Sequence, residues 1–303
     1  MKEYDLCITW NWEHDSDFVM FLEQACNLRG LSLLQITPKN LSDILERLNS
    51  NHVSCRAFFD RASDTDTNFI PVCQWAHDHG VFCINSREKA VRSWNKAIMH
   101  HIFINNGLNT PYTVILPSYE EKPDLPSIDL SHFGDKFIIK PAHGGGGDGV
   151  VKDAASYNEV LVARQKYPAD RYLLQNFIHP VMFGLRPAWF RVIFCVDQIY
   201  TCWWPPDSHI FTIISEEDEN HYSLSQLRFI TEVIARISEL ELFSTEIVLT
   251  DNGLFVVVDY VNDQIDLRLK SKFVDGVPDS IVCDITKSIA KLVDNNRRDL
   301  TDQ

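Results

Sequence analysis

The sequence predicts a small α/β unit followed by a longer α+β region. Two observations carry this. Residues 1–107 alternate apolar strands with amphipathic helices in βαβαβαβ order, which implies a small parallel sheet covered on both faces. From Leu108 onward hairpins are interleaved with helices, a mixed pattern best divided into 108–180 and 181–303.

In the front unit Leu6–Thr9 reads as a strand. Asp15–Leu28 reads as a helix whose Phe18, Phe21, Leu22 and Ala25 fall on one stripe, and Gly30 ends it. Leu31–Ile36 is the next strand, and Asn40 is placed to cap a helix through Leu48. Arg56–Asp60, a helix over Asp66–His79 closed by Gly80, and Val81–Ile84 complete the alternation. A long helix is expected from Arg87 to about Asn106, capped by Ser86 and stopped by Gly107 and Pro111. Leu116–Ser131 reads as a loop, Phe137–Lys140 and Tyr172–Phe177 as strands, and Ser156–Gln165 as a helix. Trp189–Trp203 is one long strand or a hairpin about Asp197–Gln198. Helices over Ser223–Leu240 and Asp284–Asn295 enclose a further hairpin.

At 303 residues and 45% apolar content the chain suits two or three globular domains. A formal charge of −14 disfavours nucleic acid or an acidic membrane as the main partner. No window is long and apolar enough for a transmembrane helix, and MKEYDLCITW reads as a first strand, not a signal peptide. The eight cysteines form no CxxC pair and lie mostly in apolar stretches, so they read as buried hydrophobes of a cytoplasmic protein. No GxGxxG follows the first strand, and no HExxH is present.

The run Thr245–Asp263 is the most informative. Asn252-Gly253 between two apolar stretches is the signal for a two-residue hairpin turn. Folding back on that turn sets Glu246 opposite Asp259, among Ile247, Leu249, Val256 and Val258. Facing carboxylates repel unless a cation joins them, and Mg²⁺ fits, with Asn262 as a third oxygen ligand. The plain alternative is a solvated hairpin face.

FIIKPAHGGGGDGV is a second candidate site. An apolar strand runs into Lys140 and then Gly144, Gly145, Gly146, Gly147 and Gly149. Such a loop presents backbone N–H groups to phosphate oxygens, and Lys140 adds a compact positive charge. It is not a Walker A motif, and a flexible surface loop is the alternative.

Taken in order, these elements resemble ATP-grasp ligases of the glutathione synthetase and RimK-like type. Lys140 and the glycines resemble the central lysine and flexible loop of that family, and Lys96 its first nucleotide-binding lysine. LLQNFI, ending in Gln175, Asn176, Phe177 and Ile178, resembles the hinge strand that reads adenine. Arg191 resembles the arginine facing the phosphates or an acylphosphate, and Glu246 and Asp259 the magnesium carboxylates. The resemblance implies a pre-ATP-grasp front domain and a two-lobed ATP-grasp domain whose small lobe is 108–180 and whose large lobe is 181–303. It implies ATP and Mg²⁺ as cofactors, a small-molecule or peptide substrate, and carboxylate–amine or carboxylate–thiol ligation through an acylphosphate. It leaves a homodimer open, and a kinase like the inositol phosphate kinases is the alternative on the same scaffold. So is an ATP-binding protein without turnover.

Three departures stand out, the first being that DQIDLR follows the metal strand without the family's Pro-Gly. Asp259 and Asn262 are three apart where the family has Glu-x-Asn, which calls for a one-residue bulge near Tyr260-Val261 or a different role for Asn262. No acid for the ribose follows Ile178, where His179 stands nearby. On the substrate side, Arg268 is placed to clamp a carboxylate or phosphate, or else to form a surface ion pair with Asp266. Trp203 and Trp204 cannot both face the core of a regular strand, and Asp207 and His209 follow in a loop. His143 stands where it touches phosphate or merely caps its strand.

Overall fold

The structure, a computed structural model, describes residues 1–301, with side chains through Arg297. The front unit is formed by β1 (Lys2–Trp10), α1 (Ser16–Asn27), β2 (Leu33–Ile36), α2 (Leu41–Asn49), β3 (Val53–Arg61), α3 (Ile70–Asp78) and β4 (Phe82–Ile84). Its sheet is parallel with order β2-β1-β3-β4. Strands covered on both faces need near-continuous apolar runs, and β1 and β3 supply them through Leu6, Ile8, Ala57 and Phe59.

Two helices follow, α4 (Arg87–Trp94) and α5 (Lys96–Asn105), where one was expected. Asn95 leaves the helical region and its side chain accepts from the backbone N–H of Ile98 at 3.0 Å, so it caps the second helix. Neither Asn40 nor Ser86 caps its helix. The Asn40 carboxamide oxygen accepts from the Thr37 N–H at 2.7 Å, an upstream turn bond that competes with capping.

The middle of the chain contributes β5 (Thr113–Leu116), β6 (Phe137–Pro141), β7 (Val151–Ala154), α6 (Tyr157–Ala163) and β8 (Tyr172–Asn176). They form an antiparallel sheet of order β5-β8-β6-β7 with α6 on its apolar side. Then come β9 (Met182–Phe183), β10 (Arg186–Pro187), β11 (Trp189–Cys195), β12 (Gln198–Trp203), β13 (Thr212–Ile213), α7 (Glu216–His221), α8 (Gln226–Ser238), β14 (Leu242–Leu249), β15 (Phe255–Asn262) and α9 (Asp279–Thr301). The large sheet has order β13-β12-β11-β14-β15. One face packs on α8 and α5 through Phe190, Val192, Trp203, Leu227 and Ile234. The other meets α9 and the front unit, where Ile193, Cys195, Ile285 and Ile289 join Leu6 and Phe18 in one core. The two tryptophans divide as strand geometry requires. Trp203 is buried in the first core, and Trp204 packs against the second. The highly polar α7 carries no apolar period and was not legible as a helix.

The β14–β15 hairpin departs from the expected turn. Leu249 pairs with Phe255, and the Thr250 N–H donates to the Leu254 carbonyl, so the loop holds three residues, Asp251 to Gly253. Gly253 takes the left-handed conformation (φ 79°), as a three-residue turn with a bulge demands. Near the turn, residue i therefore faces 504 − i, which would set Val258 against Glu246. An extra residue at Val258 shifts the register, and Glu246 pairs with Asp259 after all. A second bulge over Tyr260-Val261 brings Asn262 opposite Ser244.

Asn85, directly after β4, joins the front unit to the large lobe. It is buried and left-handed (φ 53°). Its amide donates to the Leu242 carbonyl (2.5 Å) and to Asp263 (2.7 Å), and its oxygen accepts from the N–H groups of Glu241 (2.8 Å) and Leu242 (3.0 Å). Nothing in its local sequence announces this role. Replacing it with alanine would strand several buried groups and keep a strained backbone. Asn85→Ala should therefore lower the unfolding free energy by about 3 kcal/mol. Urea denaturation checks this, and a change under about 0.5 kcal/mol would refute it.

Candidate nucleotide and metal site

Glu246 and Asp259 meet on β14 and β15 as a half-buried pair with Arg191, Lys140 and Lys96 nearby. Arg191 lies on the adjacent strand in register with Glu246, and its Nη1 donates to Glu246 Oε1 at 2.5 Å. The Arg191 Nε also donates to Ser244 Oγ (3.1 Å), and the Trp189 indole N–H donates to Glu246 Oε2 (3.2 Å). Lys140 comes from β6 in the small sheet. Its ammonium donates to the Val258 carbonyl at 3.0 Å and lies 5.3 Å from the centre of the Tyr260 ring. The carbonyl at the Val258 bulge is thus the acceptor for the central lysine. Lys96, at the start of α5, donates from Nζ to the Gly144 carbonyl and so holds the glycine loop from beneath.

The electrostatics follow from this arrangement. Burial raises the Glu246 pKa above the ordinary carboxyl value, against the pull of Arg191. Burial also opposes ionisation of Asp259, but Lys140, Lys96 and Arg191 outweigh it and hold its pKa below the ordinary value. Burial drives Lys140 down to about 8, partly countered by Asp259. Asp259 is thus the readier anion of the two, while Glu246 is favoured as an anion chiefly by Arg191, with Trp189 and Lys140 adding to it.

Magnesium fits this donor set. It is commonly bound by one or two carboxylates with phosphate oxygens and water completing the shell. Among the described residues no three His, Cys, Asp or Glu side chains cluster, so any third protein ligand must be neutral. Asn262 is in range of that role, bonded to the Asp259 carboxylate and 3.5 Å from the Ser244 carbonyl.

The glycine loop joins β6 to β7. Gly144, Gly146, Gly147 and Gly149 all have positive φ. Around Gly144 to Gly147 a side chain would meet only open space, which leaves backbone N–H groups free to approach a ligand, whereas at Gly149 a Cβ would lie 2.8 Å from Tyr167. The far end of the loop is pinned by Asp148, which accepts from Lys166 at 2.6 Å and from the Tyr167 hydroxyl. His143 is taken up structurally. Its N–H and Nδ1 both meet the Asp170 carboxylate at 2.8 Å.

At the hinge, Gln175 does not face an open slot. Its amide donates to the Tyr260 hydroxyl (2.8 Å) and Thr113 Oγ1 (2.9 Å), and His100 joins the Tyr260 hydroxyl at 2.6 Å. This buried network locks the small sheet to β15, a role for Gln175 that its sequence position did not disclose. The next residue keeps a free acceptor, because Asn176 Oδ1 is buried without a partner. Such an orphaned oxygen suits an amino group such as that of adenine. Phe177 is exposed and Ile178 half-buried beyond it.

Arg268 is not brought to the acid pair as a free clamp. Its guanidinium is held by Asp266 (2.7 Å) and Asp275 (2.9 Å) and lies over Phe273 (4.8 Å). Only Asp266 was anticipated as its partner. Sequence reading also missed Arg61, whose guanidinium forms a buried two-point pair with Asp15 (2.6 and 3.1 Å) and donates to the Ile265 carbonyl (3.0 Å).

No family model matches the chain, and no curated protein matches it. Solved structures do. The RimK domain ATP-grasp protein from Sphaerobacter thermophilus is similar over 94% of this chain and 98% of its own, with TM-score 0.63 and 17% identity. The ATP-grasp ligase PsnB, solved with precursor peptide PsnA2 and AMPPNP, gives 0.60 and 14% over 96% of this chain and 98% of its own. D-Cycloserine synthetase DcsG gives 0.60 and 14% over 95% and 99%. The chain has the ATP-grasp fold, an α/β front unit followed by two lobes.

The depressed Lys140 makes a direct prediction. A triphosphate favours the charged lysine, which in the free protein is protonated below about pH 8 and neutral above it. Above that value binding must take up a proton, so ATP affinity should fall toward roughly tenfold per pH unit. Calorimetric titration from neutral to alkaline pH tests this. An affinity flat through pH 9 would show that Lys140 keeps an ordinary pKa or does not meet phosphate.

Proposed function

We propose that this protein is an ATP- and magnesium-dependent ligase that joins a carboxylate on a small molecule or peptide to an amine through an acylphosphate. The observation carrying this reading is the convergence of Lys140, Lys96 and Arg191 on the facing Glu246 and Asp259. A phosphoryl-transfer site needs cations where phosphate charge develops and carboxylates to hold a metal, and no side-chain nucleophile. Glu246, Asp259 and Asn262 would hold magnesium, which screens phosphate charge and fixes the γ-phosphate for attack. Lys96, Lys140 and the Gly144–Gly147 backbone would bind the phosphates, and the hinge from Gln175 to Ile178 would receive adenine through its backbone and Asn176. A substrate carboxylate oxygen would attack the γ-phosphorus and release ADP, with Arg191 facing the acylphosphate.

Ligation of peptides or small acids is favoured by the similar structures, which include a ligase and a macrocyclase, each with a precursor peptide, and a small-molecule synthetase. A small-molecule kinase like the inositol phosphate kinases is disfavoured because the late cations that would line a basic acceptor pocket are engaged. Arg268 is held by two aspartates, Lys272 bonds Asp17 at 2.7 Å, and Lys270 donates to the Phe211 carbonyl. The eight cysteines are unpaired, which suits the cytoplasm we propose for it. No helix of the described residues is long and apolar enough to cross a membrane.

The deciding experiment measures ADP release with pools of amino acids, small carboxylic acids, peptides and inositol phosphates, followed by product mass. A product lighter by water than its two substrates supports ligation, and a gain of one phosphoryl group favours a kinase. Glu246→Gln and Asp259→Asn should each abolish turnover in a folded protein, and full activity in either would sink the metal assignment. Arg191→Ala should lower kcat/KM by at least roughly 10²-fold, about 2.7 kcal/mol. It should fold, because Glu246, already raised in pKa, can take a proton once its partner is gone. Unchanged kinetics in a folded variant would remove Arg191 from the mechanism.

A further inference from the structure

The loop Trp204–His209 has no part in the nucleotide site, yet it touches it. The Trp204 ring lies 5.1 Å from the Arg191 guanidinium, and the His209 ring stacks on Trp204 with centroids 4.4 Å apart and planes 6° from parallel. Pro205 and Pro206 stiffen the turn, whose carbonyl at Pro205 accepts from the His209 N–H at 2.8 Å. His209 itself holds a left-handed backbone (φ 57°), a conformation that costs energy in a residue with a Cβ and persists here at the edge of the proposed site. Both ring nitrogens are without a hydrogen bond among the described residues, and the side chain is exposed.

Resting on the ligase reading above, we propose that His209 is the general base of the second half-reaction, and that the nucleophile is therefore a protonated amine. An ammonium cannot attack. One ring nitrogen of His209 takes a proton from the ammonium. The freed nitrogen lone pair forms the bond to the acyl carbon, and the carbon–oxygen bond to phosphate breaks with its electron pair leaving on phosphate. A second nitrogen-borne proton passes to the departing phosphate, so that atoms and charge balance. The stack on Trp204 fixes the ring through the same tryptophan that lies over the Arg191 guanidinium, the group that on the ligase reading would face the acylphosphate. The charged groups around the ring suit a base. Asp275 is near enough to feel its charge, and Arg268 is held by that same aspartate. Asp207 shares the turn, and Lys270 is turned away onto the Phe211 carbonyl.

The test separates proton removal from everything earlier. Hydroxylamine is largely unprotonated at neutral pH and traps acylphosphates as hydroxamates without a base. His209→Asn and His209→Gln are compared with the wild type, using the carboxylate pool with hydroxylamine, and with a primary alkylamine as acceptor. Asparagine tolerates the left-handed turn, so the loop is retained. The proposal expects unchanged ATP affinity and hydroxamate formation, a loss of at least about 10²-fold with the alkylamine at neutral pH, and recovery as pH approaches the amine's own pKa. Equal loss with both acceptors, or no loss with either, overturns the base. A wild type that forms neither ADP nor hydroxamate with any member of the pool overturns the ligase reading, and the base with it. ADP and hydroxamate formed normally by wild type and both variants, with the alkylamine never accepted, would retain the ligase and overturn the amine and its base.

Discussion

Two half-buried carboxylates held face to face constrain the rest of the molecule. In a low-dielectric slot Glu246 and Asp259 cannot both stay charged without positive partners. Those partners come from separate parts of the chain. Arg191 is supplied by the neighbouring strand of the large sheet, Lys140 by the small sheet, and Lys96 by the helix before it. The two lobes are therefore joined at the site itself, by an ammonium of one lobe seated on the Val258 carbonyl of the other. That carbonyl is available because β15 bulges there and its ladder is interrupted. One irregularity thus turns Asp259 toward Glu246 and gives Lys140 its seat. Nucleotide binding at this place would exchange one set of charge contacts for another, with no need to create a charged pocket anew.

Much of this was legible in the sequence, but not always for the reason first apparent. The hairpin was read from Asn252-Gly253 as a two-residue turn, with Glu246 opposite Asp259. The pairing holds, yet it arises from a three-residue turn that moves the register by one and a bulge at Val258 that moves it back. Nothing in the run Val256-Val257-Val258 marks which residue is extra, because three β-branched residues fit any strand position equally well. The bulge over Tyr260-Val261 was legible only through the spacing of Asp259 and Asn262. The alternation of the front unit was plain because buried parallel strands and amphipathic helices have distinct periods. The break at Asn95 was not, since the apolar pattern runs through it and only the cap geometry separates α4 from α5.

The polar residues that join one part of the protein to another were the least legible. Asn85, Arg61 and Gln175 each sit beside apolar or strand-like sequence, and each bonds residues 46 to 204 positions away. A single side chain with distant partners leaves no periodic trace. Arg268 is the reverse case. Its sequence context left a substrate clamp and a surface ion pair equally open, and the structure saturates it between Asp266 and Asp275. A guanidinium bound twice by carboxylates offers a substrate anion little, so the charge that Arg268 seemed to bring to substrate binding is spent within the loop.

That saturation shapes the substrate side. With a formal charge of −14, and with the late cations engaged, the positive charge around the acid pair comes from Lys96, Lys140 and Arg191. On the proposed reading those three would face the phosphates. For a second substrate the proposed reading would leave the aromatic and acidic groups nearby, Trp204 with His209, and Asp275, Phe273 and Trp12 around the bound Arg268. Such a surface does little for a second anion. It suits an acceptor that arrives as a cation, because aromatic faces and carboxylates both attract positive charge. The same charge that brings an ammonium to this surface also makes it unreactive, so recognition and proton removal must be solved together. On the proposed reading the exposed His209 imidazole, stacked on the tryptophan that lies over Arg191, would meet both needs. Its ring stacks on the same Trp204 that lies over Arg191, so on the proposed reading one tryptophan would link the proton acceptor to the cation that would face the acyl donor.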